Sequence, residues 1–237
     1  MSKKIRLYIE ESISLRKKIY LNQEQKHYLL NVMRSRHGDQ VTIFNDSQWI
    51  GEIYIEKNPY IIAIEKVKDN QLDCGAKVIL AFAPTKKYGE FVVEKGTELG
   101  VDCIIPIRTE RSVVDKINFQ KYRKAMIEAT EQCGRIGLPK LSDMVHLRDL
   151  KQRVRELYSD DDPLFIACDL NKNDCDLNDQ LSKVICVIVG PEGGFAPRDY
   201  QEFDNLSVKC LNLGRNTLRA ETASIASLAV IQSQLRK

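Results

Sequence analysis

From Lys77 onward the chain alternates between two rhythms, and that alternation limits its fold more than any other feature. KVILAFA (77–83), DCIIPI (102–107), LFIAC (164–168), VICVIVG (184–190) and VKCLNLG (208–214) are short, near-continuous apolar runs. Between them lie stretches of helical spacing: Lys86 to Leu99 ending at Gly100, Asn118 to Cys133 followed by Gly134, Leu147 to Tyr158, Pro197 to Phe203, and Ala220 to Leu235. A strand exposed on one face alternates apolar with polar residues. Strands apolar throughout, separated by helices, predict a parallel sheet covered on both faces. The fold class is therefore α/β.

The first 70 residues read differently. Ile5 to Ile9, QVTIFN (40–45), WIGEIYI (49–55) and YIIAIEKV (60–67) are β-branched and aromatic runs, with Asp46-Ser47 as a turn between the second and third. Tyr28, Leu29, Val32 and Met33 fall at helical spacing, with Asn22 as N-cap and His37-Gly38-Asp39 as the stop. One helix among short strands predicts a small barrel-like module over 1–72, with the polar stretch 68–75 as its boundary and a second domain over 73–237.

Charge separates the same two regions. Residues 1–72 carry twelve Lys and Arg against nine Asp and Glu, so the whole net charge of +3 lies there. A basic module attached to a neutral one fits an anionic partner such as nucleic acid, and equally an ordinary solvated surface. No apolar run reaches the ~20 residues of a membrane helix, and MSKKIRLYIEE has no apolar core of a signal peptide. Neither membrane attachment nor export is expected, and the expected compartment is the cytoplasm. The seven cysteines form no Cys-x-x-Cys pair and no His stands at zinc-finger spacing, so they read as structural and no metal is expected.

Ligands of α/β proteins bind at the carboxyl ends of the strands. Three such ends run into unusual loops: Cys168-Asp169-Leu170-Asn171; Gly190-Pro191-Glu192-Gly193-Gly194-Phe195; and Leu213-Gly214-Arg215-Asn216-Thr217-Leu218-Arg219. The glycines permit close approach of a backbone to a ligand or simply a tight turn. Neither a dinucleotide fingerprint nor a Lys-Ser/Thr phosphate loop is present. Glu221 and Thr222 suit a helix start by charge and capping. Arg219 does not, so it is a candidate for binding an anion or steadying developing negative charge.

GPEGGF followed by LNLGRNTLRAETASIA resembles the C-terminal signature of the RsmE family of the SPOUT superfamily. KHYLLNVMRSRHGDQV, EKGTELGVDCIIP and EATEQCGRIGLPKL resemble three further segments of that family in the same order. Departures stand at Lys26, Asn216, Thr217 and Ala220. The resemblance implies a PUA-like β-barrel that binds RNA, followed by a SPOUT-type parallel sheet whose last elements are threaded into a trefoil knot. It also implies a homodimer, and S-adenosylmethionine-dependent methylation of uracil N3 in 16S ribosomal RNA of the small subunit, at position 1498.

By the same resemblance, Leu170, Gly190, Pro191, Glu192, Gly193, Gly194, Leu213, Gly214, Leu218 and Thr222 are the expected cofactor residues. Arg219 is the expected charge stabiliser. Glu221 and Glu192 are candidate bases, or, read plainly, a helix-start charge and a turn residue. Arg6, His27 and Arg34 could reach RNA phosphates. Lys95 and Glu98, and Glu128, Gln132 and Arg135, are placed on faces of two helices, as RNA contacts, a subunit interface or an ion-pair network. A non-catalytic RNA-binding protein on the same fold, or a SPOUT enzyme with another RNA acceptor, stays open as an alternative.

Overall fold

The computed structural model describes residues 5–68, 75–158, 162–169 and 182–235. The stretch 69–74, the acidic turn at 160–161, Leu170 and the loop 171–179 lie outside the described residues. The chain forms two compact units: Met1–Leu72 with Thr130–Leu138, and Asp73–Ala129 with Pro139–Lys237.

The first unit is a five-stranded sheet. Its strands are β1 (Arg6–Tyr8), β2 (Lys18–Tyr20), β3 (Gln40–Phe44), β4 (Gln48–Tyr54) and β5 (Tyr60–Val67), in the order β1-β3-β4-β5-β2. The β1–β3 pair is parallel and the rest are antiparallel. Strand β4 alternates buried and half-buried residues along its whole length, so one face packs inward. Leu7, Ile19, Leu29, Ile43, Ile53 and Ile61 make the core. The expected helix begins where Asn22 predicts. Its side chain accepts from Gln25 N–H at 2.9 Å, and the Gln25 side chain accepts from Asn22 N–H at 3.0 Å, a reciprocal cap. Only Gln23–Lys26 (α1) is α-helical, and His27–Val32 continues as a π-helix.

Residues 130–138 complete this unit through polar contacts. Glu131 Oε1 accepts from Tyr8 N–H at 2.8 Å, and Arg6 donates to the Arg135 carbonyl at 2.8 Å and to the Gln48 side chain. The Arg6 guanidinium also lies 4.4 Å from the centre of the Phe44 ring, and burial pushes its pKa down.

The second unit is a seven-stranded sheet, parallel throughout. β6 (Lys77–Phe82), β7 (Cys103–Arg108), β8 (Lys140–Leu141), β10 (Leu164–Cys168), β11 (Val184–Val189) and β12 (Lys209–Leu211) run in the order β12-β10-β11-β6-β7-β8, while β9 (Val145–His146) pairs with β7. Every residue of β11 is buried. Its alternate residues Val184, Cys186 and Ile188 face a cluster with Leu150 and Val154 of α4 (Leu150–Leu157) and Phe203 and Leu206 of α5 (Pro197–Leu206). The opposite face is covered by α6 (Ala220–Gln234), which packs on β11, β6 and α2 (Gly89–Glu98). The remaining long helix is α3 (Phe119–Cys133). Covering both faces explains why the strands read as unbroken apolar runs. The buried serines of α6 are satisfied within the helix: Ser224 donates to the Ala220 carbonyl at 2.8 Å and Ser227 to the Ala223 carbonyl at 2.7 Å.

Leu150, the first residue of α4, is fully buried in the same core cluster as Val154. Leu150→Ala removes three carbons from a close-packed site, and the expected cost is about 2–5 kcal/mol. A urea titration followed by circular dichroism checks this as a lowered midpoint with unchanged slope.

Candidate functional site

The three carboxyl-terminal strand ends converge as α/β topology requires. Strands β10, β11 and β12 are neighbours, so the residues after them share one edge of the sheet. A cleft of about 310 Å³ lies there. Its apolar wall is Leu211, Leu213, Leu218, Ala220 and Ala223, and Gly190, Pro191, Glu192 and Gly194 bring the loop after β11 to its other side.

That loop is held in shape by close contacts. Gly194 N–H donates to the Pro191 carbonyl at 2.9 Å, and Gly194 has φ +67°, where a side chain would be strained. A Cβ on Gly190 would stand 3.0 Å from the tip of the Phe195 ring, which packs edge-on against Phe203 at 4.7 Å between centroids. Two ties fasten the loop to the turn after β7. Arg111 donates to the Gly193 carbonyl at 2.7 Å. Asp199, 5% exposed, accepts from Ala196 N–H at 2.8 Å through one oxygen and from Glu110 N–H at 3.2 Å through the other. The turn is braced internally, with Thr109 N–H donating to Ser112 Oγ at 2.9 Å.

Deeper in the cleft, Tyr200 donates its hydroxyl to Asp169 Oδ2 at 2.7 Å. Burial, then that hydrogen bond, push the Tyr200 phenol up to about 12, so it stays a proton donor at neutral pH. Cys168 lines the same wall, and burial pushes its thiol up to about 11. It is therefore no nucleophile there.

The first turn of α6 serves two cavities. Ala220 and Ala223 face the cleft, while Glu221, Thr222, Ile225 and Ala226 line a second hollow of about 470 Å³ together with Tyr88 and Phe91. Glu221 is 8% exposed and its Oε2 has no hydrogen-bond partner among the described residues, a costly state for a carboxylate unless something else fills it. Arg219 stands at the N-cap position of α6 in an extended conformation, and its guanidinium reaches the Tyr88 hydroxyl at 3.5 Å.

The structure thus brings Gly190, Pro191, Glu192, Gly194, Leu213 and Leu218 to one cleft, and places Gly193 where its carbonyl anchors that cleft's loop. Gly214 donates to Asn212 Oδ1 at 2.8 Å, within the loop after β12. Thr222 faces the neighbouring hollow beside Glu221. Leu170 lies outside the described residues. Lys95 is tied to Glu94 at 2.7 Å and Glu98 at 2.8 Å, an ion-pair network. Arg135 is not helical as expected, because α3 ends at Cys133, and it donates to the Gly137 carbonyl at 3.1 Å. Of the first unit's candidates, Arg6 is already engaged, His27 opens the π-helical segment, and Arg34 is exposed at φ +55°. Arg111, Asp199 and Tyr200 escaped the sequence reading, and Asp169 stood in the first of the three strand-end loops without a role assigned to it. Asp199 alone had a local signal, as an acid two residues after a helix-opening proline. The others are joined to their partners only by the fold.

Residues 73–232 match the model of the RNA methyltransferase domain, and residues 21–65 match that of the RNA methyltransferase PUA domain. The chain is 27% identical to ribosomal RNA small subunit methyltransferase E of Rickettsia conorii, across 96% of this chain and 94% of that one. It is 26% identical to the protein of the same name from Bacillus subtilis, across 89% and 88%. A putative methyltransferase from Legionella pneumophila, solved with bound S-adenosylmethionine, superposes with a TM-score of 0.82 at 27% identity, covering 98% of each chain. The Neisseria gonorrhoeae ribosomal RNA small subunit methyltransferase E, also solved with S-adenosylmethionine, superposes at 0.84 with 24% identity and 97% of each chain covered, a likeness of fold. With its parallel sheet of SPOUT type and its PUA-like first unit, the chain belongs to the RNA methyltransferase family, among the proteins of RsmE type.

Proposed function

We propose that this protein methylates N3 of a uracil in 16S ribosomal RNA, at position 1498 by family resemblance, with S-adenosylmethionine as donor. We read it as a cytoplasmic homodimer. The observation that carries the reading is the cleft at the ends of β10, β11 and β12, next to which α6 opens with Arg219 at its N-cap and Glu221 in its first turn, on the wall of the neighbouring hollow. The cleft suits the cofactor chemically. Leu211, Leu213 and Leu218 offer an apolar bed for adenine, and the loop 190–194 offers main-chain groups where side chains would obstruct. Gly190, Pro191, Glu192, Gly193, Gly194 and Gly214 hold it in this reading, and the Tyr200 hydroxyl oxygen, its hydrogen given to Asp169, can accept from it. When bound, the cofactor supplies a methyl group activated by a sulfonium.

The chain's own residues manage the acceptor. Methylation at N3 removes the N3 proton and spreads negative charge over O2 and O4. The Arg219 guanidinium is the cation that lowers the energy of that charge, and Tyr88 orients it. Glu221 Oε2, buried and without a hydrogen-bond partner among the described residues, is the acceptor for the N3 hydrogen, with Thr222 on the same wall. Glu192 is exposed at the rim and suits ligand orientation better than proton transfer. The target base must leave its stack, since N3 lies on the pairing edge. Of Arg6, His27 and Arg34, the last two are left to meet phosphates. Phe91 and Val230, 39% and 37% exposed on α2 and α6, give the apolar face for a second subunit.

The test is transfer of labelled methyl to small subunits lacking the modification, with nucleoside mass spectrometry. The expected product is 3-methyluridine. Label in another nucleoside would discard the acceptor, and absence of both label and cofactor binding would leave a non-catalytic RNA-binding protein. Arg219→Ala is expected to lower kcat by about 10²-fold or more with the cofactor Kd unchanged. Arg111→Ala frees the 190–194 loop and is expected to raise the cofactor Kd about tenfold, the loss of one hydrogen bond to a charged group. Calorimetric titration with S-adenosylmethionine separates the two variants.

A further inference from the structure

Three tyrosines of the first unit stand in one cross-strand row. Tyr20 of β2 pairs with Tyr60 of β5, and Tyr60 pairs with Tyr54 of β4. Their rings touch in sequence: Tyr20 edge-on to Tyr60 at 5.8 Å, and Tyr60 stacked on Tyr54 at 5.1 Å with 3° between planes. His37 extends the row, edge-on to Tyr54 at 5.0 Å, and its Nδ1 is fixed by accepting from Ile55 N–H at 3.3 Å. The inner members are locked. The Tyr60 hydroxyl donates to Glu56 at 3.0 Å, and Glu52 bonds the Tyr54 side chain and helps to raise its pKa.

The outer end is different. Tyr60 is 5% exposed, whereas Tyr20 is 62% exposed on the edge strand β2. A stabilising ladder would need only the buried part of this row. Tyr20 adds one edge contact and leaves most of its ring in water. Lys18 shares its face of β2, because alternate residues of a strand point the same way. Its ammonium lies 4.5 Å from the centre of the Tyr60 ring, with no ion pair among the described residues. Arg16, exposed, and Lys17 precede it. A flat exposed ring beside a cation matches a nucleobase and its phosphate. A duplex hides its base faces, so the match is to a single strand.

We propose that the Tyr20–Tyr60–Tyr54–His37 row is a stacking platform for a single-stranded segment of the RNA substrate, with a base on Tyr20 and its phosphate at Lys18. This rests on the reading that RNA is the substrate, and adds to it a contact away from the methyl-transfer site. Carboxylates Glu52 and Glu56 line the inner row, so the phosphate chain is expected on the β2 side.

The test is fluorescence anisotropy of the full-length protein with a labelled single-stranded RNA of about twelve nucleotides, alongside calorimetry with S-adenosylmethionine. Tyr20→Ala is expected to weaken RNA binding about fivefold or more and Tyr20→Trp to preserve it. Lys18→Gln is expected to weaken it less and to flatten the salt dependence by about 0.7 in log–log slope. All three should keep the parent's cofactor affinity and circular dichroism. RNA binding by Tyr20→Ala equal to the parent's, or equal losses in Tyr20→Ala and Tyr20→Trp, would overturn the platform. A parent that binds cofactor but not the oligonucleotide also overturns it while sparing the methyltransferase reading. A parent that binds neither overturns both.

Discussion

Strand β11 is the constraint on which the second unit depends. All six of its residues are buried, three toward α4 and α5 and the alternating three toward α6. A strand hidden on both faces must be apolar at every position, and it must be paired on both edges to satisfy its backbone. β6 and β10 provide that pairing. Because the strand is rigid and central, the loop leaving its carboxyl end is a fixed point against which a ligand site can be built. The glycines at 190, 193 and 194 follow it directly.

Around that fixed point, polar contacts decide the geometry. Asp199 uses both oxygens, one to close the start of α5 and one to hold the turn after β7. Arg111 reaches from that turn to Gly193. Two segments remote in sequence, 109–112 and 190–199, thus meet at one strand edge, and each tie between them is a charge-assisted hydrogen bond with little freedom. The same edge carries Arg219 and Glu221 because α6 starts there. Its apolar residues seal the sheet while its first turn faces two cavities at once.

Much of this was legible in the sequence, for reasons that can be named. Strands buried on both faces announce themselves by composition, and Asn22 announced a helix start by its capping chemistry. Short pairings did not. Lys18–Tyr20, Lys140–Leu141 and Val145–His146 are two or three residues long and carry no period. VKCLNLG is strand only through Leu211, because residues 212–218 turn away to the cleft. The three strand-end loops and the LRAET segment marked the site, but Arg111 and Tyr200 are recruited from other elements. Spacing along the chain holds no record of such meetings. The tyrosine row is a further case: each member lies in or beside a strand, and only the register of β2, β5 and β4 aligns them.

The pairing of β6 with β11 joins Lys77–Phe82 to Val184–Val189, segments about a hundred residues apart. During synthesis the amino-terminal partner is made long before its neighbour. For that interval an apolar strand has one edge with no native match, and β7 can cover only the other. Parallel sheets of such long range form slowly, and open apolar edges invite association. The first unit can complete its five-stranded sheet from residues 6–67 without waiting. Folding of this chain is therefore expected to be staged. The ligand cleft forms after the first unit, since its third loop and α6 follow β10 and β11 in the chain and need them as their base.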